Sequence, residues 1–520
     1  MKNLLKISAV TAAGIPAVLT AAGQGRQTGE AASAPAEDRL PDIIMIMTDQ
    51  QRGDAMGCTS GGLVITPNID SLAASGYLFT SAYSSAPSST PARAGLLTGC
   101  SPWRHGMLGY GNQAEKYPYE MPSMLKDAGY AALAVGKMHY YPQDNTHGYD
   151  VVLYDESGRH TTEYFESDYR KWFYSRHFGE NPDKTGITWN EHRAAAYKLP
   201  EEVHPTRWTG DMAVEMIEGY SSDKPLFLKV SFARPHSPYD PPQRCLDMYR
   251  GRTAPAPYTG SWEPEEWSVR KDPASDKSAY IGNFGAEYAM NSRIHYYAGI
   301  TFIDEQIGRI IEALKKKGMY KNSIIIFISD HGDMLGDHYL WRKTYAYEGS
   351  SAIPFILKVP EDYETVLPAG SPVDAPVELR DVLPTFLEVV GTGRPEGMDG
   401  MSVLPLIRQE NPVWRKYIDL EHARIYWDGN SWTALTDGHV KYIWHCAIGK
   451  EQLFDLDKDP GETQDLSSDP SYASTLEEMR SAMVRHLSER GPGWVQDGKL
   501  VVRKVKEVYG PNFPGHRNHE

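Results

Sequence analysis

Two places in this chain of 520 residues set hard oxygen ligands at the end of an apolar run. Asp49 and Gln50 follow residues 42–48 (DIIMIMT), and Asp330, His331 and Asp333 follow residues 324–329 (IIIFIS). Open α/β sheets bind ligands beyond the carboxyl ends of their strands. If both runs are strands, they can hold one hard divalent cation between them. Either Asp alone is as well explained as a cap for the segment after it; the pair of equivalent strand ends favours the cation. A third segment, Ser88-Ser89-Thr90-Pro91-Ala92-Arg93, leads into a helical run over 92–98. Pro91 marks the helix entry. The free N–H groups at that end, beside Ser89 and Thr90, attract an anion, and Arg93, one turn in, can aim its guanidinium at it. An ordinary Ser-capped helix has the same letters.

The elements that must position these groups alternate. Apolar runs at 42–48, 131–135, 225–232, 324–329 and 354–359 read as buried strands. Between the runs at 225–232 and 324–329, Ile300, Ile303, Ile307, Ile310, Ile311 and Leu314 share one helix face, with Lys315, Lys316 and Lys317 in the last turn and Gly318 as the stop. The alternation predicts an α/β fold, a mixed, mostly parallel sheet flanked by helices. After about residue 415 the texture changes. Short strands at 432–435, 440–444 and 452–456, an Asp437-Gly438 hairpin signal and a helix over 471–489 predict a smaller α+β unit with an antiparallel sheet. The expected division is a catalytic domain over 40–415 and a C-terminal antiparallel-sheet subdomain over 416–520. Residues 155–210 and 245–285 are aromatic, Pro-rich insertions of the kind that shape a substrate mouth.

The net charge of −15 argues against a nucleic-acid partner, which wants a basic face. It also favours a pocket for one terminal residue over a groove that tracks a long polyanion. Lys2, Lys6, the small apolar run 7–22 and the small residues Thr20 and Ala22 read as a cleaved signal peptide over 1–22, followed by a loose N-terminus over 23–39. No membrane anchor is expected, and the predicted location is the periplasm or beyond. Cys58, Cys100, Cys245 and Cys446 show no metal spacing and are expected to be free thiols.

Ser89-Thr90-Pro91-Ala92-Arg93, followed by Ala94-Gly95-Leu96-Leu97-Thr98-Gly99, resembles the signature of the type I, formylglycine-dependent sulfatases, whose fold is alkaline-phosphatase-like. Other family landmarks follow in order across nearly the whole mature chain. They are Thr48-Asp49-Gln50-Gln51-Arg52, Thr66-Pro67-Asn68-Ile69-Asp70, Val135-Gly136-Lys137-Met138-His139 and Arg234-Pro235-His236-Ser237-Pro238. Ser329-Asp330-His331-Gly332-Asp333 with Lys343, and Leu453-Phe454-Asp455-Leu456 with Asp459-Pro460 and Glu462, complete the set. The resemblance implies that Ser89 is oxidised to formylglycine by a maturating enzyme before export. One oxygen of its hydrate attacks sulfur, and the other expels sulfate by reforming the aldehyde. A plain serine would remain a stable sulfate ester. It further implies one Ca2+ held by Asp49, Gln50, Asp330, His331 and the residue-89 oxygen. Arg93, Lys137 and Lys343 would neutralise the sulfate, His236 would protonate the leaving oxygen and His139 would position the nucleophile. Many members carry Cys where this chain has Ser89. That fits a serine-type bacterial member or a deliberate Cys→Ser replacement.

The predicted substrate is a sulfated oligosaccharide, attacked from its end. Tyr164, Phe165, Trp172, Phe173 and Trp189 in the first insertion can stack on sugar rings. Trp103, Arg104 and His105, near the motif, and Trp341, Arg342 and Tyr345, near Lys343, are substrate-binding candidates. About half of such aromatics merely pack loops. Two rival readings share the scaffold: a phosphomonoester or phosphonate hydrolase, which would want two zinc ions and more ligands, and a non-catalytic sulfoglycan-binding protein.

Overall fold

The computed structural model describes residues 39–515 apart from 161, 411 and 505. The leader expected over 1–22, and all but the last residue of the 23–39 segment, lie outside the described residues. The main sheet has eight strands: β1 (Asp42–Asp49), β2 (Tyr77–Phe79), β3 (Ala131–Gly136), β4 (Val151–Tyr154), β5 (Leu226–Pro235), β6 (Ser323–Ser329), β7 (Phe355–Lys358) and β8 (Pro372–Val373). Their spatial order is β4-β3-β5-β1-β6-β7-β2-β8. β1 lies at the centre, parallel to β5 on one side and β6 on the other. The sheet is mixed because β7 runs antiparallel to both β6 and β2.

β1 is an unbroken apolar run because both its faces are covered, and all eight of its residues are buried. Ile44 and Ile46 pack on Leu228, Val230 and the expected face of the helix Ala286–Lys316, where Ile303, Ile307, Ile310 and Leu314 are fully buried. Met45 and Met47 point the other way, into a core with Ala94, Leu97, Phe227 and Ile328. Deleting any one of these isoleucines to alanine removes about 2–5 kcal/mol, so the strand ends rest on a stiff base.

The C-terminal sheet has four antiparallel strands, β9 (Ile418–His422), β10 (Trp432–Thr436), β11 (Val440–His445) and β12 (Lys450–Asp455), in that order. One face holds the helix Ala473–Ser488 through Met479, Met483 and Leu487. The other packs Ile418, Trp432 and Phe454 against Tyr83, Met334 and Tyr345. β9 was not expected. Its sequence alternates apolar residues with Asp419 and Glu421, which hides a buried strand; Arg380 and Arg490 neutralise those carboxylates in place. All four cysteines are free, and only Cys58 is exposed. Among the described residues, no helix is long and apolar enough to cross a membrane.

Candidate active site

Thr48 of β1 pairs with Ser329 of β6, so Asp49 and Asp330 leave the sheet side by side. Asp49, Asp330 and His331 each bring a ligand atom within 4.8 Å of the others, and all three are completely buried. Gln50 turns the chain at φ 70°, a strained value for a non-glycine residue. Its backbone N–H donates to Asp330 Oδ1 (3.0 Å). Its side-chain amide donates to the Asp333 carboxylate and accepts from Lys343 Nζ (2.6 Å).

Arg93 does not face an open anion site as expected. Its Nε donates to Asp330 Oδ2 (3.0 Å), its Nη2 to Asp49 Oδ2 (3.1 Å), and its Nη1 to Ser231 Oγ (3.1 Å) and the Lys137 carbonyl (2.8 Å). Two buried carboxylates this close repel each other and need a fixed cation, and the fully buried guanidinium supplies it. Burial and Asp330 push the Asp49 carboxyl up, but Lys137, His236 and Arg93 together hold it below its ordinary value. Burial likewise opposes ionisation of Asp330, yet the neighbouring cations Arg93 and Lys137 and the Gln50 backbone N–H hold it far below the usual range.

The motif helix spans Ser89–Thr98. The Ser89 hydroxyl donates to His331 Nε2 (3.1 Å), because His331 Nδ1–H is committed to the Gly332 carbonyl (2.9 Å). Burial also lowers the pKa of His331, which keeps the ring neutral with its Nε2 lone pair toward Ser89. Ser88, the N-cap, makes no side-chain cap bond. Its hydroxyl donates instead to Nε2 of His422 (2.9 Å), whose Nδ1–H is held by the Ala423 carbonyl (2.7 Å). The C-terminal sheet thus reaches the residue next to Ser89, a contact between positions 334 apart in the chain that no local pattern announces.

β3 ends at Gly136, where a Cβ would sit 2.0 Å from the Ser231 carbonyl oxygen at φ 99°. Only glycine fits, and the chain then delivers Lys137 and His139. Lys137 pairs with Asp49. His139 sits at φ 58°; Glu156 accepts its backbone N–H (2.8 Å), but both ring nitrogens are buried without a partner. Burial, then Arg159, drive its pKa well down, so the ring is neutral and free to accept or donate at a ligand. His236 follows β5. Its Nδ1–H donates to the Ser237 carbonyl (2.9 Å), and its Nε2 accepts from Lys343 Nζ (2.6 Å). Lys343 is flanked by Arg342 (φ 70°) and Thr344 (φ 86°), and burial lowers its pKa to about 7.

The substrate-binding candidates scatter. Trp103 packs against Trp494 and under the Arg490 guanidinium, Arg104 pairs with Glu489 on the surface, and His105 is buried against the Met107 backbone. Trp341 is enclosed by Phe284 and His192, and the Tyr345 hydroxyl donates to the Tyr280 carbonyl. Neighbours in sequence to catalytic residues point elsewhere because the chain turns there. Arg342 stays near, with its backbone N–H on Asp333 Oδ1 (3.1 Å) and its guanidinium over Tyr426. Of the insertion aromatics, Tyr164 is exposed and Phe173 is core. Trp189 alone reaches the site. Its ring stacks on His236 at 3.7 Å, with Lys137 Nζ 4.2 Å from its centroid. Asn190, which carried no sequence signal, accepts from Lys343 (3.2 Å).

The oxygen-rich cluster suits a hard cation, and Asp49 Oδ1 is buried with no hydrogen-bond partner. A cation seat of this kind against a hydroxyl at a helix start, at the end of the central strands, defines the alkaline-phosphatase-like class of oxyanion-ester hydrolases. Within that class the chain belongs to the sulfatase family, whose profile matches residues 41–392; a second profile, described as N-sulphoglucosamine sulphohydrolase, C-terminal, matches 336–489. It is a sulfuric ester hydrolase. It is 35% identical over 474 residues to an arylsulfatase of Clostridium perfringens, covering 89% of this chain and 97% of that one. It is 25% identical to an N-acetylglucosamine-6-O-sulfatase of Bacteroides thetaiotaomicron, covering 85% of each. Among solved structures, a phosphonate monoester hydrolase of Agrobacterium radiobacter superposes with a TM-score of 0.71 at 25% identity, covering 89% of this chain and 99% of that one.

Proposed function

We propose that this sulfatase removes O-sulfate from a sulfated carbohydrate, acting on terminal residues of glycosaminoglycan-derived or related oligosaccharides. Ser89 is its formylglycine precursor, matured before export to the periplasm, and Asp49, Gln50, Asp330 and His331 hold one Ca2+. The observation that carries this reading is the Ser89 hydroxyl set against His331 beside the paired carboxylates. A formylglycine hydrate at residue 89 would supply two geminal hydroxyls, one as nucleophile and one to permit release, and a cation held by these residues would supply charge to the sulfate oxygens. The chain's own residues do the rest. Arg93 fixes the carboxylate pair, and Lys137 and Lys343 balance the sulfate charge. His331 is held neutral, with its lone pair toward residue 89. His236, with Nδ1–H pinned, is left with Nε2 as its one working nitrogen and, protonated there, passes that proton to the leaving oxygen, a needed step because a sugar alkoxide leaves poorly; Lys343 stays charged beside it. His139, its ring nitrogens unpartnered, orients the nucleophile.

A sugar alcohol is supported by Trp189, an indole face at the mouth beside polar groups, and by the acidic net charge, which disfavours a long polyanion. The test is a panel of defined sulfated mono- and disaccharides. Matured protein, whose residue-89 peptide is lighter by one hydrogen molecule, is assayed for sulfate release with and without a chelator. Release that the chelator abolishes and Ca2+ restores is expected. Converted protein that frees no sulfate from any saccharide, or that ignores the chelator, would overturn the reading.

A further inference from the structure

Arg342 stands apart from the other arginines of this chain. Among the described residues, every other arginine that is buried or half-buried has a carboxylate oxygen within 3.1 Å. Arg342 is half-buried and its guanidinium pairs with none of the described carboxylates. Asp333 accepts its backbone N–H (3.1 Å) and is otherwise engaged by Gln50 and Tyr239. Taking a cation partly out of water is costly unless a counter-ion offsets it, and a chain of net charge −15 has acids to spare.

The side chain is nonetheless built into its place. Its Nη2 donates to the Ser278 carbonyl. The guanidinium lies over the Tyr426 ring, 5.6 Å from the centroid, and the Tyr426 hydroxyl bonds to it. Tyr426 in turn stacks on Tyr280 at 4.8 Å, with the ring planes 6° apart. Nε is sealed inside, so the terminal N–H groups are what the side chain offers to a ligand. A guanidinium backed by an aromatic face keeps its planar fork in one orientation, which suits two parallel bonds to a carboxylate or a sulfate. The place is the rim of the catalytic pocket. Lys343, the next residue, reaches His236 and Asn190. Burial chiefly, and the Arg342 charge after it, lower the pKa of His192, two residues beyond Asn190. On the other side Tyr426 lies within electrostatic reach of Tyr110, an exposed residue whose ring is 6.1 Å from that of His139. Arg342 thus sits between the segments that carry the two active-site histidines.

We propose that Arg342 grips a second anionic group of the substrate, a carboxylate or a sulfate on the same molecule as the scissile ester. The proposal rests on the sulfatase reading of the pocket and deepens it: the preferred substrate is at least a dianion. The other cations of the site cannot serve, because Arg93 is committed to Asp49 and Asp330, and Lys137 and Lys343 face the scissile sulfate. A substrate with one charge leaves Arg342 unpaired, whereas a dianion supplies the counter-ion that the chain withholds.

The test needs neither turnover nor a sugar. Full-length protein with Ser89 unconverted is titrated by calorimetry, in Ca2+, with phenyl sulfate, with its ortho, meta and para carboxylates, and with the three benzenediol disulfates. A charge-assisted pair is worth about tenfold or more in binding, so the best dianion should bind at least tenfold tighter than phenyl sulfate. Preference for the carboxylates points to a uronate, and preference for the disulfates to a second sulfate. Arg342→Gln should bring the ratio to within twofold of one. Arg342→Lys, which keeps the charge and loses the planar fork, should cut the ratio at least threefold and serves if the Gln variant does not fold. A best ratio under tenfold, no binding by any dianion, or a ratio that survives in a folded variant would each overturn the proposal. Failure of the carbohydrate reading is a separate result: converted protein that frees no sulfate from any saccharide while the dianion preference stands.

Discussion

Replacing Arg93 with methionine keeps the reach of the side chain and removes its charge and its donors. Four hydrogen bonds go with it, two of them to the carboxylates of Asp49 and Asp330 at 3.1 and 3.0 Å, in a place with no access to water. Removing one partner of a buried ion pair costs roughly 3–5 kcal/mol, because the remaining charge stays buried. Taking about 4 kcal/mol, and an unfolding entropy of about 2.1 cal/mol/K per residue over the matched span 41–392, the melting temperature should fall by about 5 °C. The loss should depend on pH with a definite sign. Asp49 and Asp330 are held below their ordinary values, so their favourable contribution is complete above the unfolded carboxylate pKa near 4 and fades as pH falls through the lower folded values. In the variant, protonation of one carboxyl relieves the repulsion that Arg93 had balanced. The deficit should therefore be full at pH 7–8 and narrow toward pH 4.5. Added Ca2+ should also narrow it, since the ion takes over part of the same compensation. The assay is scanning calorimetry of wild type and variant at three pH values, with chelator and with saturating Ca2+. An unchanged melting temperature, or a deficit indifferent to both pH and Ca2+, would refute the assignment of Arg93 as the clamp on the carboxylate pair.

Three further outcomes follow from other contacts. His236→Ala should lower kcat on a sugar sulfate by roughly 10²–10⁴ but far less on 4-nitrophenyl sulfate, whose alcohol leaves without help; equal losses in steady-state assays would assign His236 another task. His422→Ala frees the Ser88 hydroxyl to cap its own helix and should shift residue 89. On protein matched for residue-89 conversion, kcat should drop roughly ten- to hundredfold with KM and Ca2+ affinity unchanged, and Ser88→Ala should add nothing further in that background; additive losses would disprove the pairing. Burial raises the Asp304 carboxyl to about 6, although it accepts the backbone N–H groups of Asn68 and Ile69. A raised carboxyl costs stability when ionised above its folded pKa, and that cost vanishes as pH falls below the unfolded value near 4. Asp304→Asn should thus gain on wild type by an amount on the order of 2–3 kcal/mol more at pH 8 than at pH 3.5, on top of a pH-independent loss of the Asn68 side-chain hydrogen bond; a constant difference across that range contradicts the shift.

What the chain declares about itself divides along a physical line. The clustering of Asp49, Asp330 and His331 beside Ser89 was legible because each of these segments starts or ends a periodic element. A buried parallel strand shows as a continuous apolar run, and the residue that breaks the run is by construction at the strand's end. Asp49 and Asp330 are such residues, Ser89 is marked instead by the Pro91 helix entry, and the sheet register, not local sequence, then brings the two Asp together. β9 was illegible for the converse reason: Asp419 and Glu421 look like surface charge until Arg380 and Arg490, distant in sequence, are placed against them. The same rule explains the misplaced substrate candidates. Trp103 and Trp341 are near the motif and Lys343 only along the chain, whereas side-chain direction is decided by packing partners such as Trp494 and Phe284. Trp189 and Asn190 lie in an insertion with little period of its own, shaped by contacts distant in sequence such as Ser237 with the Glu191 carbonyl and His192 with Tyr288. On the proposed reading, the bond-breaking groups are carried by the sheet ends, and the alcohol is met by a segment that only tertiary contacts shape. A scaffold built this way can exchange its leaving-group specificity by rewriting residues 155–210 while every strand end stays in place. The arylsulfatase, N-acetylglucosamine-6-O-sulfatase and phosphonate monoester hydrolase relatives would then be expected to differ most from this chain in that insertion and least at the ends of β1 and β6.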